Sequence, residues 1–210
     1  MDPIKFTKIR NVKTPTRGTP RSAGIDFYVP EDLTQAELDV KQPVKQEIRA
    51  LVEGKFGLVK KLELFPNQRI LIPSGIKMKI PAGYAGVVMN KSGVASKTGL
   101  DKLAELIDED YQGEIHINLV NTGSNPVVIR PGDKIAQMII TPVYIADLEM
   151  KNSADEVFTE ETVRGEGGFG STNKNDNVEQ LEVVSAEKIV EEVDAVSATP
   201  VKKRGRPRKQ

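Results

Sequence analysis

Lys91-Ser92 and, about sixteen residues further on, Asp108 are the residues best suited to act together chemically. An ammonium and a hydroxyl beside the turn glycine Gly93 can converge with backbone N–H groups on one anion, and phosphate is such an anion. Asp108 follows the apolar pair Leu106-Ile107. At that boundary a carboxylate can be oriented toward a water and serve as a general base. Glu109 and Asp110 extend the acidic run, and Tyr111 beside them offers a flat face for a sugar or a ring. Alternate side chains of a strand diverge, so a metal shared by the three acids is not expected. Residues 83–114 therefore read as the centre of a site that cleaves the phosphate chain of a nucleotide. The plainer alternatives are a solvated turn at 90–97 and a charged β-turn at 106–114.

Other stretches carry weaker signals. AGID at 23–26 sets Asp26 after a glycine turn, where it can hold a divalent cation directly or through water, or cap backbone N–H groups. Ser74, in the Pro73-Ser74-Gly75 turn, either faces a ligand or closes the turn. RGEGGFGS at 164–171 places Phe169 among glycines with no local core to enter, and Arg164 offers a planar fork for phosphate. An arm that orders over a ligand, with Phe169 stacked on a base, explains these features together; a Gly-rich linker is the alternative. KKRGRPRK at 202–209 has the form of a segment lying in an A·T-rich minor groove, with nuclear import or a solubilising tail as competing readings.

Composition removes several classes of chemistry. The chain of 210 residues has no Cys, which excludes disulfides, a thiol nucleophile and a thiolate zinc site. The single His116 excludes a His-cluster metal site and makes a Ser-His-Asp triad improbable. No apolar run reaches the length of a membrane span, the N-terminus shows no secretory signal, and a cytoplasmic place is expected, or a nuclear one in a eukaryotic host. The formal net charge of +0 conceals an acidic stretch at 179–194 and a basic end at 202–210.

The elements that position these residues read as strands. Period-two alternation and short apolar runs at 4–12, 25–30, 68–81, 83–90 and 115–142, cut by Gly and Pro turns, indicate an all-β sandwich, jelly roll or barrel. KLAELI at 102–107 suits helix or strand alone, and its surroundings favour strand. Residues 31–65 are charged, with helix-like spacing at Ala36–Val40 and Val44–Val52, and read as an insertion of helical character. Beyond residue 151 periodicity fades.

Taken in order, AGID (23–26), NKSGVASK (90–97), LIDEDYQGE (106–114), GDKIAQMI (132–139) and RGEGGFGSTN (164–173) resemble the five signature motifs of the trimeric deoxyuridine triphosphatases, the dUTPases. The resemblance covers roughly residues 1–173. It implies a jelly-roll-like β-barrel assembled as a homotrimer, with sites between subunits, that hydrolyses dUTP to dUMP and pyrophosphate with Mg2+. Asp108 would activate the attacking water, and Asp26 would sit near the Mg2+ through its water shell. Lys91, Ser92, Gly93 and Gln137 would contact phosphate, Tyr111 would exclude a 2′-hydroxyl, and the hairpin from Gly99 to residue 106 would read uracil. Arg164, Phe169, Gly170, Ser171 and Thr172 would close an arm over the substrate. The family usually has Arg-Ser where this chain has Lys91-Ser92, and the stretch from Gly99 to Asp108 is shorter than in many members. The expected division is a core over 1–150 with the insertion at about 31–65, an arm over 151–173, and a disordered acidic-then-basic tail over 174–210 that contacts A·T-rich DNA. A dCTP deaminase on the same barrel and a nucleotide-sensing DNA-binding protein are the alternatives.

Overall fold

Strand alternation does most of the building. In β11 (His116–Asn121) Ile117, Leu119 and Asn121 turn into the core, while His116, Asn118 and Val120 take the opposite face. This computed structural model describes residues 3–41 and 49–168. The chain divides into two units, Met1–Asp147 and Leu148–Gln210.

The first unit is a jelly-roll-like β-barrel. Its strands are β1 (Phe6–Lys8), β2 (Thr16–Arg17), β3 (Ile25–Tyr28), β4 (Arg49–Glu53), β5 (Leu58–Leu64), β6 (Arg69–Pro73), β7 (Ile76–Met78), β8 (Tyr84–Met89), β9 (Leu100–Leu103), β10 (Leu106–Ile107), β11, β12 (Val127–Ile129) and β13 (Lys134–Pro142). Two short helices interrupt them, α1 (Gln35–Lys41) and α2 (Ser92–Thr98). The strand orders are β10-β8-β13-β3-β2, β6-β11-β9, β12-β5-β4 and β1-β7. Phe27, Leu33, Leu38, Leu62, Ile70, Ile72, Ile117 and Met138 are among the buried side chains of one continuous core. Burying a side chain of this size contributes roughly 1.5–3 kcal/mol each, which the ordering entropy of the chain largely offsets.

The stretch expected to be a helical insertion is mixed. Thr34 and Glu37 form a capping box at the start of α1: Thr34 N–H donates to Glu37 Oε2 at 3.1 Å and Glu37 N–H to Thr34 Oγ1 at 3.3 Å. Leu33 and Leu38 anchor that helix in the core. The helix-like spacing at 44–52 ends in strand β4, and residues 42–48 lie outside the described residues. β5 is a barrel strand paired with β12 through Val127↔Leu64 and Ile129↔Leu62. Its charged residues Lys60, Lys61 and Glu63 mask the alternation, because they sit between the buried Val59, Leu62 and Leu64.

The expected hairpin after Gly99 differs as well. KLAELI is strand, but in two pieces that pair elsewhere: β9 with β11, and β10 with β8. Ala104 between them has φ +55, so the backbone turns there and the strand passes from one sheet to another.

In the second unit the described residues, 148–168, form turns and bends. Among them Arg164 Nε donates to Gly167 O at 2.9 Å, and Gly165 and Gly167 N–H groups close tight turns onto Thr162 and Arg164 carbonyls.

Candidate functional site

A buried carboxylate organises the phosphate-side residues. Asp26, on β3, is 2% exposed. Lys91 Nζ lies 2.5 Å from its Oδ1 and Lys134 Nζ 2.8 Å from its Oδ2. The second contact is a charge pair outside hydrogen-bond alignment. Burial alone would raise the Asp26 carboxyl, but the two ammonium groups outweigh it and hold it below the ordinary aspartate range. Asp26 raises Lys134 in return. Two cations against one anion leave a net positive charge.

A bulge in β13 aims the next residue. Lys134 faces Tyr28, yet Ala136 faces Phe27 and Gln137 faces Asp26, so Ile135 is the extra residue. With regular pairing Ala136 would stand opposite Asp26; the bulge puts Gln137 there instead. Gln137 Nε2 donates to Asn90 O at 2.8 Å, which fixes the backbone just before Lys91. Gly24 makes room for this contact, since a Cβ on it would lie 2.1 Å from Gln137 Oε1 and that side chain would have to move.

Lys91 is the N-cap of α2, in extended conformation and with no side-chain cap, so Ser92 and Gly93 begin the helix exposed. Backbone donors at such a start suit an anion. At the other end Gly99 caps α2 in the left-handed region, φ 72, and a Cβ there would meet Gly123 N at 2.7 Å. Gly99 is thus a structural cap, set apart from the cavity that holds Asp108.

That cavity has a volume of about 230 Å³ and is lined by Leu71, Ala104, Leu106, Ile107, Asp108, Tyr111, His116 and Asn118. Volumes below roughly 300 Å³ are small for a drug-sized ligand and suit a nucleoside part better than a whole triphosphate. Asp108 is exposed at its edge, immediately after β10. Tyr111 is pinned: its hydroxyl donates to Glu114 O at 2.8 Å, and its ring lies where a Cβ on Gly113 would come within 2.3 Å of the phenol oxygen. The acids stand in a turn and not on a strand: β10 ends at Ile107, and Tyr111 N–H donates to Asp108 O at 3.2 Å. Glu109 turns away and accepts from Gly83 N–H at 2.5 Å.

Ser74 is fully buried and closes its turn by accepting from Ile76 N–H at 3.2 Å, so it faces no ligand. Among the described residues no group of three or more His, Cys, Asp or Glu could hold a metal ion. Both Asp26 oxygens lie against ammonium groups, so direct metal ligation does not fit Asp26, and contact through water is what remains for it. Among the described residues no helix is long and apolar enough to cross a membrane. Phe169, Gly170, Ser171, Thr172 and the basic end at 202–209 lie outside the described residues.

The sequence reading missed Lys134, His116 and Asn118. Lys134 lies within GDKIAQMI, but its partner Asp26 is remote in sequence and only sheet pairing joins them. His116 and Asn118 share the face of β11 opposite its buried residues, a relation that the alternation in HINLVN already implied.

Comparison with known proteins gives the family. The dUTPase family model matches residues 56–173. A deoxyuridine 5'-triphosphate nucleotidohydrolase of Desulfitobacterium hafniense is 38% identical over 176 residues, 80% of this chain and 95% of the relative. One from Maricaulis maris is 38% identical over 150 residues, covering 70% and 91%. Among solved structures, a mutant of the Staphylococcus bacteriophage 80alpha dUTPase with dUpNHpp has a TM-score of 0.62 at 22% identity and covers 82% of this chain and 99% of its own. The dUTPase from phage phi11 of S. aureus has a TM-score of 0.56 at 21% identity, covering 72% and 97%. The barrel is shared with these structures, and the sequence match extends over more than half of the chain: it belongs to the dUTPase family, the dUTP diphosphatases.

Proposed function

We propose that this dUTPase hydrolyses dUTP to dUMP and pyrophosphate by attack of an Asp108-activated water on the α-phosphorus. The observation that carries the reading is the cavity in which Asp108 and Tyr111 share one wall. The nucleoside lies there, with the β9–β10 turn toward the base and the pinned Tyr111 ring against the sugar, where a 2′-hydroxyl would collide with it. Asp108 takes the water's proton and so raises its nucleophilicity without a covalent intermediate. Lys91, Ser92 and Gly93 hold the phosphates, with Gln137 fixing the backbone that carries Lys91. Where the family has a guanidinium fork, Lys91 supplies a point charge whose direction Asp26 sets.

Mg2+, when carried on the triphosphate oxygens, would neutralise part of their charge; that manner of binding suits an ion that keeps most of its waters. Arg164, Phe169, Gly170, Ser171 and Thr172 act as the closing arm, and the sites lie between the subunits of a homotrimer. In the cell the reaction limits uracil incorporation into DNA and supplies dUMP for dTMP synthesis. The test is pyrophosphate release from dUTP, dCTP, dTTP and UTP measured side by side. Strong preference for dUTP is expected; equal turnover of UTP would overturn the role of Tyr111, and ammonia release from dCTP would move the chain to deaminase chemistry.

A further inference from the structure

We infer that Glu114 is a positioning residue for the nucleoside cavity, and that Arg10 and Glu37 hold it in place, so that helix α1 takes part in sugar selection. The inference rests on the reading of that cavity as the nucleoside site.

The backbone and side chain of Glu114 do different things. Its carbonyl accepts the Tyr111 hydroxyl at 2.8 Å and His116 Nδ1 at 2.8 Å, so two walls of the cavity hang on one oxygen. Because that acceptor is a carbonyl, Nδ1 carries the proton. Its carboxylate has Oε2 4.0 Å from His116 Nε2 and is held from two sides. Arg10 grips it as a fork, Nε to Oε1 at 2.7 Å and Nη2 to Oε2 at 3.3 Å, and Gly75 N–H donates to Oε1 at 2.8 Å. The pair is largely out of water, with Glu114 10% and Arg10 16% exposed, so its geometry is set by protein groups and not by solvent.

Two further features show that the grip is built in. Gly75 has φ +73, and a Cβ there would lie 2.9 Å from Arg10 Cβ; only glycine lets Arg10 come this close while presenting the N–H to Glu114. The remaining Arg10 nitrogen, Nη1, contacts Glu37 Oε1 at 2.5 Å. Glu37 also closes the capping box of α1 with its other oxygen, accepting from Thr34 Oγ1 at 2.9 Å. One carboxylate thus joins the helix to the arginine. Burial would raise Glu37, yet Arg10 and Thr34 hold it lowered, so the pair stays charged at neutral pH. Arg10 and Glu37 both precede residues 56–173, the part of the chain that the family model matches.

A side chain holding only the fold would alter stability; one holding Tyr111 alters discrimination between deoxyribose and ribose. The experiment compares kcat and KM for dUTP and UTP in the full-length enzyme and in Glu37→Gln, Arg10→Lys, Glu114→Gln, Tyr111→Phe and Tyr111→Ala. Glutamine at position 37 preserves the capping box, so α1 keeps its cap while Arg10 loses its anionic partner there. The expected result is a loss of about fivefold or more in the dUTP-over-UTP ratio of kcat/KM for Glu37→Gln, Arg10→Lys and Glu114→Gln, carried by KM, with kcat on dUTP held within about twofold. Tyr111→Phe should show a loss of the same sign, and Glu37→Gln added to it should cost less than it does alone, since part of its effect passes through the hydrogen bond that Tyr111→Phe has already removed. If Tyr111→Ala leaves the ratio unchanged, the reading of the cavity fails and the inference falls with it. If Tyr111→Ala collapses the ratio while the other three variants keep it at the wild-type value, the cavity reading stands and the positioning role is wrong.

Discussion

Asp108 stands at the end of β10 with its carboxylate exposed, whereas Asp26, equally acidic in sequence, is buried against two ammonium groups. The roles proposed for them rest on that contrast. A carboxylate that must take a proton from water needs access to water; one that sets the direction of cations needs to be held by them. Asp108→Asn removes the proton acceptor at constant shape, so it should fold with an unchanged melting temperature and lose about 10²- to 10⁴-fold in kcat. Steady-state kinetics with thermal unfolding checks this, and turnover close to wild type would remove Asp108 as base. Gly24→Ala tests the other side of the site. Its methyl would occupy the place of Gln137 Oε1, so Gln137 must swing off Asn90 O. A destabilisation of about 1–3 kcal/mol is expected, with a raised KM for dUTP.

At the scale of elements, the sequence was most legible where one face of a strand meets the core, as in β11, β12 and β13, and where glycine turns bound them. It was least legible at β5, whose charges hid a buried strand, and at β9–β10, where a turn at Ala104 sends adjacent strands to different sheets. Asp108 and Tyr111, which local spacing singles out, do line one cavity. Contacts created by pairing across the barrel, such as Lys134 on Asp26 and Glu114 on Arg10, were not legible, because no local pattern records a partner about a hundred residues away. Buried Asn121 belongs to this second kind. Its Nδ2 donates to Leu64 O at 2.8 Å and Asn125 O at 2.9 Å, and its Oδ1 accepts from Gly123 N–H at 2.9 Å. Asn121→Leu strands these backbone groups and should cost about 2–3 kcal/mol, read as a lower denaturant midpoint.

The whole molecule responds to acid through the same ion-paired carboxylates. Asp26 and Glu37 both titrate below their ordinary values of 3.8 and 4.5 in the folded chain. A depressed folded value means that the unfolded chain binds protons first. The stabilisation is therefore fully present above the ordinary value and disappears as pH falls through the folded one. Replacing Asp26 by Asn should flatten the acid side of the stability profile below about pH 4, measured by unfolding at a series of pH values, and a profile parallel to wild type would show that the lysine contacts add nothing. The proposed closing arm would make activity depend on more than the barrel. The unit Leu148–Gln210 carries Arg164 and the Phe169 motif, whereas the buried core belongs to Met1–Asp147. Truncation after Asp155 should therefore leave thermal unfolding and the trimeric elution volume unchanged and lower kcat/KM for dUTP by about 10²-fold or more, because the groups that order over the substrate are gone while those that bind it remain. Unchanged kcat and KM in the truncated chain would confine catalysis to the barrel and leave the arm without a role in it.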